Sequence, residues 1–291
     1  MSDIITRNPR IGEVPALRDM WGAVFGDVGA KSFFEYLFDS ELCVIAEVEG
    51  APAAMGYLIP TGEVVYGAEA FRCAMIYSVA TLPKYRGRGL GTAVVHKLIS
   101  LAREIGYPAI VLCPTDDDLF EYYKAHSELR ECFYVNEIII NQAPANTKPA
   151  LLTDVSATEY HSQREVLLKG TVHIRQDLHI FEYQSLLCKE LGGGLFRIGN
   201  SYAVAERQPD GAVWVKEYLS PGGSIGDSAS GPDFMNAISS IMHKFPSHTY
   251  VVRSLSRISE GRRFGMIAFS DIQKFDLCEN VISPWYGMAF D

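Results

Sequence analysis

The sequence predicts a mixed α/β protein: a mostly antiparallel sheet flanked by helices, followed by a second, smaller α/β domain. Three observations carry this prediction. Along the first half, helical and strand periodicities succeed one another as helices, antiparallel strands, then strand–helix–strand–helix–strand. The stretch Asn141-Gln-Ala-Pro-Ala-Asn-Thr-Lys-Pro149 is polar, holds two prolines and lacks an apolar period, as a linker does. Finally, the 291 residues correspond to two domains at about 150 residues each. The expected organisation is a first domain over 1–141, a linker over 142–149 and a second domain over 150–291.

Val14 to Phe25 and Lys31 to Phe38 space their apolar residues as short helices do. Leu42 to Gly50 reads as a strand ending in a turn, with Ala54 to Ile59 as its hairpin partner. The strand Ala74 to Thr81 is stopped by Pro83. A glycine-rich turn then leads into a helix with apolar residues at Leu90, Val94, Leu98, Ala102 and Ile105, and Gly106 ends it. Ala109 to Cys113 is a buried strand. Asp116-Asp-Asp118 places carboxylates at the positive end of the helix Leu119 to His126, and Cys132 to Ile140 is a final strand. In the second half, helices are expected at Glu159 to Lys169, His179 to Leu191 and Phe234 to His243. Tyr202–Glu206 and Ala212–Lys216 flank Pro209-Asp-Gly211 as a hairpin, and Thr249 to Ser254 is a strand. This order broadly repeats the first half, as in a diverged duplication.

Composition narrows the function. The net charge is −9, and an acidic surface of that size disfavours gripping nucleic acid or anionic lipid. The N-terminal stretch has no signal-peptide core, and no window is long and apolar enough to span a bilayer. The six cysteines are scattered without C-x-x-C spacing and read as buried thiols of a cytoplasmic protein, with no metal site. His173 and His179, six apart, do not match metal-ligand spacing on a helix and read as surface or packing residues. His126 reads as a helix-end histidine, and Glu63 and Glu69 as exposed carboxylates.

One stretch reverses the local charge. The first half holds 13 basic and 19 acidic residues, yet Lys84, Arg86, Arg88, Lys97 and Arg103 fall within twenty positions that contain no acidic residue. The segment Val79-Ala-Thr-Leu-Pro-Lys-Tyr-Arg86-Gly-Arg-Gly-Leu-Gly91-Thr92 runs from a strand through a glycine turn into a helix. Glycines let backbone amides approach a ligand, and the helix N-terminus adds partial positive charge, so the site suits a pyrophosphate. A Walker A loop would need lysine after the last glycine. A dinucleotide fingerprint would need glycine at Thr92.

Arg86-Gly-Arg-Gly89-Leu-Gly91 does satisfy Arg/Gln-x-x-Gly-x-Gly/Ala. With the preceding Val79-Ala-Thr-Leu-Pro83 and the later Leu119-Phe-Glu-Tyr-Tyr123-Lys124, the sequence resembles the GNAT superfamily of acyl-CoA-dependent N-acetyltransferases over most of 1–140. The resemblance implies a GNAT-type sheet and acetyl-CoA as co-substrate. It places the pyrophosphate on the segment Arg86, Gly87, Arg88, Gly89, Leu90, Gly91 and Thr92, and the thioester arm against backbone groups of Val79 and Thr81. It also implies Tyr123 as the acid that protonates the departing thiolate, with Tyr122 as its neighbour. Two departures stand out: Ser127-Glu128 replace the family's Gly-Phe, and Met75 occupies the place where many members carry a glutamate base.

The second half lacks the Arg-x-x-Gly-x-Gly turn, and Pro221-Gly-Gly-Ser-Ile-Gly226 lacks flanking basic residues. It resembles the degenerate C-terminal GNAT-like domain of tandem members, which shapes the acceptor pocket. Some of those enzymes use a terminal carboxylate as base, which points to Asp291 at the end of the aromatic tail Pro284-Trp-Tyr-Gly-Met-Ala-Phe290. The expected function is acetyl transfer from acetyl-CoA to a small-molecule amine by direct attack. A non-catalytic acyl-CoA-binding regulatory module and a protein-modifying acetyltransferase are the alternatives, and a homodimer is left open. No nucleic-acid or membrane partner is expected.

Overall fold

Each half of the chain contributes most of one sheet in the computed structural model, which describes residues 4–26, 28–143, 146–221, 231–256, 260–270 and 283–290. Two compact units result. The first takes the chain up to Glu63, then Phe71–Glu131, and the end of a strand from Met266. The second takes Val64–Ala70, Cys132–Gly265 and the stretch 283–290.

The first unit orders its strands β1 (Ile5–Arg7), β2 (Cys43–Val48), β3 (Ala51–Tyr66), β4 (Glu69–Thr81), β5 (Ala109–Leu112) and the end of β13 (Arg262–Phe269). The β1/β2 and β2/β3 pairs are antiparallel, β4/β5 is parallel, and Met266–Phe269 runs antiparallel to Leu112–Ala109. Four helices accompany them: α1 (Val14–Phe25), α2 (Ala30–Tyr36), α3 (Leu90–Ile105) and α4 (Asp117–His126). Strand alternation decides what each face meets. Ala54 and Leu58 of β3 share a core with Val94 and Leu98 of α3, and each of the buried leucine and valine side chains contributes about 1.5–3 kcal/mol. Tyr57 turns the other way, 4.7 Å from Phe33 and 6.2 Å from Trp21 between ring centroids. Between them, a Cβ on Gly56 would lie 2.9 Å from both Leu98 Cδ1 and Val94 Cγ1, so glycine is what lets α3 lie flat on β3.

The second unit orders β6 (Arg130–Ile140), β12 (Tyr250–Ser254), β11 (Val213–Leu219), β10 (Ser201–Arg207), β9 (Gly194–Ile198) and β7 (Leu152–Asp154). Only β11/β12 is parallel among these pairs. The sequence of strand directions matches that of the first unit. Each sheet also ends on a strand from the other half of the chain: β13 closes the first and β6 the second. The helices are α5 (Ala157–Leu167), α6 (Leu178–Glu190) and α7 (Pro232–Lys244).

The stretch 283–290 is packed within the second unit, with Trp285, Tyr286, Met288 and Ala289 buried. Its anchor is a buried ion pair. Glu217 accepts from Arg164 Nε at 3.0 Å, from the Tyr160 hydroxyl at 2.9 Å and from Trp285 Nε1 at 2.6 Å. Arg164 spends its remaining donors on the carbonyls of Ile174 and Tyr286, at 2.8 and 3.0 Å. Gly287 sits at φ +73°, where a Cβ would come within 2.1 Å of Glu217 Oε1.

Several elements differ from the sequence expectation. β1, β7 and β8 (His173–Gln176) are three or four residues long, too short for a periodic signal. β9 and β13 had no assignment, although β13 carries the apolar run Phe264–Phe269 broken by Gly265. Cys43, Cys73, Cys113 and Cys188 are free thiols, but Cys132 is disulfide-bonded, which corrects the expectation of thiols throughout. That expectation rested on spacing along the chain, whereas pairing depends on approach in space. Cys278 and the glycines at 222, 223 and 226 lie outside the described residues. No helix among the described residues is long and apolar enough to cross a membrane.

Candidate active site

The site begins where β4 leaves β5. The two strands pair only over Cys73–Met75 and Ala109–Val111, while β4 continues to Thr81. Along β4, Ala74 and Ile76 face α3, and Tyr77 faces the opposite side, 5.8 Å from the Trp21 ring and 5.6 Å from Phe33. Strict alternation would put Val79 with Tyr77. Instead Val79 packs with the α3 core, because Ser78 inserts as an extra residue at φ +47°, in the left-handed region. A non-glycine residue there is strained by about 1–2 kcal/mol. The result is that Val79 and Thr81 both belong to the α3 side of the sheet.

Beyond Thr81 a short turn at Pro83–Tyr85 leads to Gly87 at φ +75° and Gly89 at φ +79°. Gly89 caps α3 from the left-handed region, so the helix starts abruptly at Leu90, and its first-turn amides have no intrahelical acceptor. Arg86 Nε donates to the Thr81 carbonyl at 3.2 Å, tying the turn to the strand end. A Cβ on Gly91 would lie 3.4 Å from Thr81 Oγ1 and 3.6 Å from the Tyr122 hydroxyl. Gly87, Arg88 and Gly89 are exposed, and Leu90 is buried beneath them as the first core residue of the helix.

The five basic residues separate into two groups. Lys97 pairs with Glu104 at 3.6 Å, and Arg103 pairs with Glu128, so these two are neutralised by α3 and the chain beyond α4. Lys84, Arg86 and Arg88 have no carboxylate partner among the described residues. Three uncompensated cations, two left-handed glycines and a ring of helix-start amides therefore sit within nine residues of chain. This is a fit for the pyrophosphate of acetyl-CoA: amides for its oxygens, and charge to offset its own.

On α4, Asp116 caps the first turn by accepting from Leu119 N at 2.9 Å. Tyr123 is only 7% exposed and its ring belongs to the α3 core, and burial pushes its phenol well above the usual range. Tyr122 points instead to the turn: its hydroxyl lies 2.7 Å from Thr92 Oγ1. The helix ends without glycine. Ser127 Oγ donates to the Tyr123 carbonyl at 2.6 Å and accepts from Leu129 N at 3.3 Å, which explains how the chain dispenses with the expected Gly-Phe.

Other sequence candidates fall outside this arrangement. Met75 is buried, Glu69 is exposed and Glu63 is half-buried. His173 is buried, with Nε2 3.0 Å from Glu165 and Nδ1 2.7 Å from the Thr171 carbonyl, and His179 is exposed. No group of three or more His, Cys, Asp and Glu among the described residues is placed to hold a metal ion. Asp291 lies outside the described residues.

Comparison with known proteins agrees with this geometry. The model of the acetyltransferase (GNAT) family matches residues 14–126, from α1 through the glycine turn to the end of α4. No curated protein matches the sequence. Among solved structures, the chain is similar to a GCN5-related N-acetyltransferase from Anabaena variabilis at 16% identity and TM-score 0.69, covering 93% of this chain and 74% of that one. One from Kribbella flavida gives 12% identity and TM-score 0.64, covering 92% and 71%. Eis1 from Mycobacterium abscessus gives 12% and 0.60, covering 94% and 75%. At such identities the likeness is one of fold. Residues 14–126 of the chain are a domain of the GNAT acetyltransferase family.

Proposed function

We propose that the chain transfers an acetyl group from acetyl-CoA to an amine, with a small molecule as acceptor, by direct attack on the thioester. The observation that carries this reading is the set of cations without carboxylate partners, Lys84, Arg86 and Arg88, around the helix-start amides of 87–92 in a protein of net charge −9. When bound, acetyl-CoA supplies the activated acetyl group. The amides from Gly87 to Thr92 hold its pyrophosphate, and the backbone of Val79 and Thr81, turned toward α3 by the bulge at Ser78, receives the thioester arm. A fixed N–H there, directed at developing oxyanion charge, is worth several kcal/mol.

Tyr123 is the proposed leaving-group acid. A phenol is protonated at neutral pH, as a proton donor to a thiolate must be, and burial raises this one further above the usual range. Met75 supplies no base, so that role is assigned to the Asp291 carboxylate, which follows a stretch fixed by Trp285, Tyr286 and Met288. The acidic surface draws cationic amines, which favours a small amine acceptor. We read the second unit as a GNAT-like duplicate, on the strength of its matching strand directions.

The apolar Met75 favours a second reading, a non-catalytic acyl-CoA-binding module. Free-thiol release from acetyl-CoA across a panel of small amines and lysine peptides separates the readings. Release that depends on small amines supports the proposal. Peptides outperforming every small amine would move the assignment to protein modification, and bound acetyl-CoA without release would leave the binding module.

A further inference from the structure

In the second unit, His173 is held by two oxygens at once. It is 3% exposed, its Nδ1 lies 2.7 Å from the Thr171 carbonyl, and its Nε2 lies 3.0 Å from Glu165 Oε2. A neutral imidazole carries one N–H, so one of these contacts would set a ring lone pair against an oxygen. Both are hydrogen bonds only when both nitrogens carry protons. Glu165 supplies the countercharge that a buried cation needs. Burial pushes its carboxyl up, but the hydrogen bond and charge of His173, with Arg164 and Arg175, hold it below its ordinary range.

The ring also stands where β8 meets the stretch 283–290. His173 forms a parallel bridge with Trp285: Trp285 N donates to the Val172 carbonyl at 2.8 Å, and Ile174 N donates to the Trp285 carbonyl at 2.9 Å. One side chain thus joins β8 to α5 at the point where the backbone joins β8 to the tail. Of the other charged and titratable groups around it, α5 brings His161 and Arg164, whose NH1 lies 3.6 Å from Glu165 Oε1. β8 brings Arg175, the tail brings Tyr286, and β11 brings Glu217 behind Arg164. The end of β3 that belongs to this unit brings Tyr66. We propose that His173 is an imidazolium and a proton-operated latch, which clamps β8 and the stretch 283–290 to α5 and loosens that stretch when it loses its proton as pH rises. On the acid side the clamp persists until Glu165 is itself protonated, below the ordinary carboxylate range.

Two measurements on the full chain test the latch. In a two-bond hydrogen–nitrogen NMR spectrum at about pH 7, the ring that responds to Glu165→Gln should show both nitrogens protonated in wild type. Hydrogen exchange of 283–290 is then compared between wild type and Glu165→Gln from about pH 6 to about pH 9. Glu165 is half-buried, and glutamine keeps its size. The glutamine amide donates to a neutral Nε2, so the variant holds the stretch across that range. Dividing one rate by the other cancels the intrinsic pH dependence of exchange. The wild-type rate relative to the variant should rise about tenfold or more from the acid to the alkaline end. A neutral ring in wild type, no ring that responds to Glu165→Gln, or a rate ratio that is flat with pH overturns the latch.

Discussion

The hydroxyls of Thr92 and Tyr122 lie 2.7 Å apart and join the first turn of α3 to the body of α4. The Tyr122 ring stacks on His126 at 4.7 Å, and His96 Nε2 lies 2.6 Å from the His126 carbonyl. The cofactor turn is thus braced from one side by α4. Tyr123, one position on, turns its ring into the core. Two adjacent tyrosines hold different positions, and their variants should behave differently.

Tyr122→Phe removes one hydrogen bond and leaves the packing. It should cost about 0.5–1.5 kcal/mol of stability by urea unfolding and weaken acetyl-CoA binding several-fold by freeing Thr92. Tyr123→Phe should instead lower kcat by about 10²-fold or more while acetyl-CoA affinity stays nearly unchanged. If the two profiles are exchanged, the acid is Tyr122.

The two glycines of the turn make opposite predictions. Gly89→Ala forces a side chain into φ +79° and should cost about 1–2 kcal/mol, with loss of acetyl-CoA binding. Gly91→Ala meets only ordinary contacts, at 3.4 and 3.6 Å, and should stay within about 0.5 kcal/mol of wild type. Calorimetric melting with and without acetyl-CoA separates the two. Equal losses at both positions would contradict the assigned backbone geometry.

Glu217→Gln keeps the shape of the tail anchor but removes the nearer, fully buried counter-charge of Arg164, leaving Glu165 at 3.6 Å from its NH1. A loss of about 3–5 kcal/mol is expected, read by chemical denaturation. Gly287→Ala should displace the 283–290 stretch, because its Cβ would overlap the Glu217 carboxylate. Increased proteolysis near residue 287 is the readout, and an unchanged digestion pattern would remove this account of the tail.

Acid stability has a visible contributor in the first unit. Arg7 NH2 and Nε contact Glu13 and Glu47, each at 2.7 Å, and the hydrogen bond from Arg7 holds the Glu13 carboxyl down to about 2. A depressed carboxyl stabilises the fold above its unfolded value of 4.5, and the contribution is lost as pH falls toward 2. The stability gap between wild type and Glu13→Gln should therefore be full at pH 7 and shrink below about pH 4.5. A gap independent of pH would contradict the assignment.

The turn was legible because its requirements are local: glycine where φ is positive, and basic residues in a run without acids. So was the capping of α4 by Asp116, which needs only a carboxylate at the right step from Leu119. What escaped depended on space. Ser78 carries no residue-type signal for a left-handed bulge, since any strand residue fits its place in the pattern. Five basic residues look alike in sequence, but only approach in three dimensions reveals that Lys97 and Arg103 are paired and that the other three have no carboxylate partner among the described residues. The closing strands β6 and β13 pair far from their neighbours in the chain, which no local pattern encodes.

The most direct test of acetyl transfer is amine-dependent release of free CoA thiol, followed together with mass-spectrometric detection of the acetylated amine, in wild type and Tyr123→Phe. The account predicts release stoichiometric with acetylated product in wild type, and a decrease of about 10²-fold in the variant with acetyl-CoA still bound. Acetyl-CoA bound by wild type with no amine-dependent release from any acceptor would contradict it.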